Sequence, residues 1–216
     1  MKDSTEIVVV IDKSGSMGSK VSDVVGGFNT FVEEQRRIGT NASLSLITFD
    51  TWYSVKYTNR PISEVPLLDA ASYMPGGGTA LLDAIGRSIS DLGIKLKSLP
   101  KEERPKNVVV VIMTDGEENS SHEFSLPRVN EMIKHQQDKY SWKFMFIGVG
   151  PEAFHAGRMQ FASIPMGAMA EVPCSGIGVR QAFCSVSNSI GDLRTGTGDG
   201  TITTDDVTIT STGDTD

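Results

Sequence analysis

Five consecutive β-branched residues, Ile7 to Ile11, run without a polar interruption into Asp12, Ser14 and Ser16. A half-exposed strand alternates apolar and polar side chains, whereas an unbroken Val/Ile run belongs to a parallel strand covered on both faces. Parallel strands need crossover helices, so this one stretch already points to an α/β architecture. In open sheets of that kind, ligands sit beyond the carboxyl ends of the strands, where the strand order reverses. Here the run ends abruptly in an acid, two hydroxyls and two glycines. Oxygen donors at alternate positions on a tight turn suit a hard divalent cation such as Mg²⁺. The first strand and its loop therefore read as one half of a metal site.

The rest of the chain repeats the strand–helix alternation. Val21, Val24, Val25, Phe28, Phe31 and Val32 fall at helical spacing and predict a helix over about 20–37, with its apolar side on the sheet. Gly26-Gly27 inside it is unfavourable for a helix, and close packing on the sheet is the simplest explanation. Leu44, Leu46, Ile47 and Phe49 predict a second strand, with Trp52–Tyr57 as its hairpin partner at the sheet edge. After a stretch rich in proline and glycine, Thr79 opens a second helix that reaches about Leu99. Asn107–Met113 is another continuous apolar strand, and it ends in Thr114-Asp115-Gly116. A third helix (about 126–140), a strand (142–148), a short helix (152–159), a last strand within 162–173 and a final amphipathic helix carrying Ile177, Val179, Phe183, Val186 and Ile190 complete the pattern. The prediction is a doubly wound, Rossmann-like, mostly parallel sheet with one antiparallel edge strand and helices on both faces. The Ile7 and Val108 strands then lie side by side at its centre. Asp12 and Asp115 face each other across the switch point, with Thr79 approaching from a glycine-rich loop.

Composition bounds the function. The net charge of −7 is concentrated at the end: Asp199, Asp205, Asp206, Asp214 and Asp216 follow the last basic residue, Arg194, so residues 1–198 carry only −2. Nucleic-acid binding normally shows a basic face, and none is expected here. Apolar runs fall far short of the ~20 residues needed to cross a bilayer. Met1 to Glu6 leave no room for a secretory signal before the first strand, which points to the cytoplasm and to reduced thiols at Cys174 and Cys184. The folded domain is expected to span 1–194, with 195–216 as an acidic, flexible Thr/Gly/Asp-rich tail. A brief hairpin of 201–203 with 207–210 is the alternative for that tail.

Asp12-x-Ser14-x-Ser16, Thr79 after Gly76-Gly77-Gly78, and Asp115-Gly116 together resemble the three-part metal-ion-dependent adhesion site of von Willebrand factor type A domains. The likeness covers roughly residues 5–194 and is to the stand-alone form found in bacteria and their viruses. It implies that Ser14 and Ser16 hold Mg²⁺ (or Mn²⁺ or Ca²⁺) through their hydroxyls. It also implies that Asp12 and Asp115 act mainly through water and hydrogen bonds, and that Thr79 binds directly or through water. The implied partner is a protein presenting an Asp or Glu to the metal. Taken singly, Ser14, Ser16 and Thr79 also suit turn or N-cap roles, and Asp115 a turn role. Asp83 reads as support behind the ligands, Glu117 and Glu118 as a solvated loop, and Lys13 as a surface residue.

The expected function is therefore a metal-dependent protein-binding module and not an enzyme. The alternative is a metal-dependent phosphohydrolase using Asp12 as nucleophile. That chemistry wants a second acid two residues later as general acid, and Ser14 stands there instead. Self-association, with a tail aspartate supplying the carboxylate to a neighbouring copy, is a further expectation.

Overall fold

The computed structural model describes residues 2–39, 41–174 and 176–204. Six strands form one sheet: β1 (Lys2–Asp12), β2 (Ala42–Phe49), β3 (Tyr53–Pro61), β4 (Pro105–Thr114), β5 (Lys143–Val149) and β6 (Met169–Val172). Their spatial order is β3-β2-β1-β4-β5-β6. Only the β2–β3 pair is antiparallel, and it puts β3 at an edge. Among the described residues four α-helices connect them, α1 (Val21–Arg37), α2 (Leu81–Ser98), α3 (Leu126–Tyr140) and α4 (Pro151–Gln160), and a fifth, α5 (Gly176–Thr195), follows β6.

The period-2 geometry of a strand sends alternate side chains to opposite faces, and both faces of the central strands are covered. Ile7, Val9 and Ile11 of β1, with Val109, Val111 and Met113 of β4, enter a core closed by Phe28 and Phe31 of α1 and Phe183 and Val186 of α5. Val8 and Val10, with Val110 and Ile112, enter a second core closed by Leu82, Ile85 and Ile89 of α2 and Val129 and Ile133 of α3. Each such side chain contributes roughly 1.5–3 kcal/mol on burial. An apolar run therefore costs little on either face, and the unbroken Val/Ile pattern follows directly.

Strand order reverses between β1 and β4, because β1 leads outward through α1 to β2, whereas the chain returns over α2 to β4 on the other side. Asp12 closes β1 and Thr114 closes β4, so both open into the crevice at that switch point.

Two expectations need correction. The glycine pair in α1 answers to a helix and not to the sheet: a Cβ on Gly27 would stand 2.6 Å from Cδ2 of Phe183 on α5. The packed chain also continues past Arg194. Ile202 is buried in the first core, and Thr204 donates its N–H to Gly167 O at 2.7 Å and its hydroxyl to Met169 O at 2.8 Å. Residues 205–216, with four of the five tail aspartates, and the second half of the alternative hairpin lie outside the described residues. No described helix is long and apolar enough to cross a membrane.

Candidate metal site

Asp12 is fully buried at the end of β1, and both of its carboxylate oxygens are engaged. Oδ1 accepts the Ser14 N–H at 2.6 Å and Oδ2 accepts the Thr114 hydroxyl at 2.6 Å. The first bond bends the chain sharply after the strand, which lifts Ser14 to the crevice. The second ties the ends of β1 and β4 together. Burial nevertheless dominates the electrostatics and raises the Asp12 carboxyl to about 6, against the lowering effect of those bonds. The backbone carbonyl of Asp12 accepts a hydrogen bond from the buried Tyr73 hydroxyl, which anchors the Pro-rich loop below the glycine run.

Beyond Asp12, Gly15–Lys20 forms a short tight helix. It sets Ser14 Oγ and Ser16 Oγ 3.1 Å apart, and Ser16 Oγ donates to Asp115 Oδ1 at 2.6 Å. Lys20, at the end of that helix, donates to Asp115 Oδ2 at 2.6 Å and to Ser16 O at 3.2 Å. The side chains of Lys20 and Asp115 are only 11% and 2% exposed, so this pair is nearly dry.

The third loop is held by backbone bonds. Gly15 N–H donates to Gly77 O at 3.1 Å, and Gly76 N–H to Lys13 O at 2.8 Å. Gly77 adopts φ +72°, a conformation that favours glycine, and a Cβ there would come within 2.9 Å of Thr51 Oγ1. The loop delivers Thr79, which is buried and whose N–H donates to Asn119 Oδ1 at 2.8 Å. A Cβ built on Gly116 would lie 3.2 Å from Thr79 Oγ1 and 3.7 Å from Ser16 Oγ, so both hydroxyls border the same small space.

All five residues singled out in the sequence, Asp12, Ser14, Ser16, Thr79 and Asp115, thus gather at one end of β1 and β4. The donor set fits a magnesium-like ion: neighbouring oxygens of an octahedron with 2.0–2.1 Å bonds are about 3.0 Å apart, close to the Ser14–Ser16 spacing. Among the described residues no three His, Cys, Asp or Glu side chains converge as a carboxylate or thiolate cage would require. Any ion here would be held mainly by alcohols.

Several supporting residues escaped the sequence reading. Lys13 is not a free surface residue: it forms an ion pair with Asp50 at the end of β2, and Asp50 O accepts the Ala80 N–H at 2.9 Å. Glu118 is not merely solvated, because it accepts N–H bonds from Leu82, Ser120 and Ser121 at 2.7–2.9 Å and so caps α2. Asp83 holds the loop before α3: its carboxylate gathers the N–H groups of His122, Glu123 and Phe124 at 2.8–2.9 Å. Nothing local marks Lys20, Tyr73 or Asn119 as part of the site.

The chain's three-dimensional relatives share this fold at low sequence identity. A proximal thread matrix protein from the mussel byssus superposes with a TM-score of 0.59 at 16% identity, over 87% of this chain and 46% of that one. A pilus adhesin from Lactobacillus rhamnosus GG gives 0.66 at 14% identity, over 87% of this chain and 30% of that one. The von Willebrand factor domain of a type V pilus tip protein from Porphyromonas gingivalis gives 0.63 at 11% identity, covering 92% and 98%. The chain thus spans less than half of the mussel and Lactobacillus proteins. No curated protein sequence matches it significantly. The sequence model of the von Willebrand factor type A domain matches residues 6–175, and with the β1–β4 switch point placed as that fold requires, the chain belongs to the von Willebrand factor type A domain family.

Proposed function

We propose that this domain is a metal-dependent protein-binding module, which captures an Asp or Glu of a protein partner through a divalent cation. Ser14, Ser16 and Thr79 would hold the ion through their hydroxyls, with Asp12 and Asp115 behind them. When bound, the cation supplies an electrophilic coordination position for one outside carboxylate. The observation that carries the reading is the Ser14–Ser16 hydroxyl pair at 3.1 Å, already wired through Ser16 to Asp115. By donating its proton to Asp115, Ser16 turns its lone pairs toward the crevice, which a metal-binding alcohol must do. Keeping both acids behind neutral donors leaves the ion's charge undercompensated, and this favours an anionic partner.

A binding role agrees with two structural neighbours, one a pilus adhesin and the other a domain of a pilus tip protein. Phosphohydrolysis is disfavoured by Ser14 at the position of the general acid and by the full engagement of Asp12 in hydrogen bonds to Ser14 and Thr114. The test is calorimetric titration of Mg²⁺ or Mn²⁺ into the wild type and Asp12→Ala, with affinity capture of partners in Mg²⁺ and again in EDTA. Saturable binding lost in the variant, with partners released by EDTA, is expected. Equal metal binding by both proteins, or partner capture indifferent to EDTA, refutes the proposal.

A further inference from the structure

The buried ion pair beside the hydroxyls has a role that the fold alone does not require. We infer that Lys20 is a built-in counter-cation that lowers the site's affinity for a divalent ion and raises its demand for an outside anion. This deepens the proposed function and rests on it.

Lys20 ends the short helix after Ser14 and reaches back so that its ammonium lies 2.6 Å from Asp115 Oδ2 and 3.2 Å from Ser16 O. Asp115 Oδ1 is taken by the Ser16 hydroxyl, so both oxygens of this acid are already occupied by groups of the chain. The pair is largely shielded from water, with 11% and 2% of the side chains exposed, and its charges are therefore screened less than surface charges would be. Counting ionised groups at the site, Asp12 and Asp115 contribute two negative charges and Lys20 cancels one. A divalent cation added to that set leaves an excess positive charge of one unit, which a single carboxylate neutralises. Without the lysine the two acids, set behind neutral donors, would offset more of the cation's charge, and an anionic partner would gain less. Lys20 thus trades metal affinity for ligand affinity. It is a positioning residue that acts through Asp115 and the Ser16 carbonyl.

Opposite shifts distinguish this role from a merely structural one. The experiment measures Mn²⁺ binding to the full chain by electron paramagnetic resonance, with and without acetate as the carboxylate probe, for the wild type, Lys20→Met and Lys20→Arg. Removing a nearly dry unit charge close to a divalent ion should tighten Mn²⁺ binding about tenfold or more. The enhancement of Mn²⁺ affinity by acetate should shrink in the same variant, while Lys20→Arg should behave as the wild type. If Lys20→Met does not fold, Lys20→Gln, which keeps a hydrogen-bond donor toward Asp115, gives the same comparison. Weakened Mn²⁺ binding in the neutral variants, or unchanged affinity and unchanged acetate response, overturns the inference. Absence of Mn²⁺ binding by the wild type overturns the metal site itself, so the two failures are distinguishable.

Discussion

Adding one methyl group at Gly27, and comparing it with the same change one residue earlier, tests how α1 is seated. Alanine is favoured over glycine inside a helix by about 1 kcal/mol, so both Gly26→Ala and Gly27→Ala gain the same propensity term. Their surroundings differ. At Gly26 the new Cβ meets the Arg180 guanidinium, with Nε nearest at 3.7 Å, an ordinary contact. At Gly27 it stands 2.6 Å from Cδ2 of Phe183, and relief needs a shift of about 1 Å to reach normal carbon–carbon separation. The ring has little freedom to give it: Phe183 is 1% exposed and lies against Phe28 and Phe31 at centroid distances of 6.2 Å each. Overpacking of this kind costs about 1–3 kcal/mol. Propensity cancels between the two variants, so their difference in stability reports the overlap and should fall in that range. Gly26→Ala should be stabilised relative to the wild type. Urea unfolding at fixed pH in EDTA measures the difference, and thermal midpoints should separate by about 2–4 °C per kcal/mol for a chain of this size. If the two variants are equally stabilised, α1 and α5 do not approach through Gly27 and the seating of both helices is wrong.

Three other outcomes are expected. Burial holds the Glu6 carboxyl above its ordinary value of 4.5 although Ser43 and Ser45 donate to it; the folded state then binds the extra proton, so this residue's contribution to stability is lost as pH rises from 4.5 through the raised value. Glu6→Gln should accordingly be more stable than the wild type at neutral pH, with the gap closing in acid, as urea midpoints across pH will show. Gly116→Ala places a methyl 3.2 Å from Thr79 Oγ1 and 3.7 Å from Ser16 Oγ, which should weaken divalent-ion binding by calorimetry about 10- to 100-fold while leaving the unfolding midpoint nearly unchanged. Asp83→Ala strips three backbone N–H groups of their acceptor and should cost about 1–3 kcal/mol, with faster hydrogen exchange confined to 122–124.

Much of the site was legible because its residues sit where strands stop. An apolar run that ends in an acid marks the C-terminal end of a central strand whatever surrounds it, and this holds for Asp12 and for Asp115 alike. The alternating hydroxyls at Ser14 and Ser16 carry their own chemistry, and glycines before Thr79 announce a close backbone approach. Lys13 and Lys20 look alike in the sequence, each a single cation in a polar loop. One pairs with Asp50 and the other with Asp115, at separations of 37 and 95 residues, and no local pattern encodes either pairing. Gly27 was readable as a close contact but not as one made to a helix that begins at Gly176.

The sequence by itself determined the layers, the central strands and the oxygen-rich corner between them, because periodicity and strand-end chemistry are local properties that survive any arrangement of the remaining chain. Tertiary structure alone decided which charges meet in that corner, that packing continues past Arg194 to Thr204, and which helix fills the space over Gly27. Those outcomes depend on how segments far apart in the chain exclude water together, and a buried ion pair such as Lys20–Asp115 exists only after that exclusion is complete.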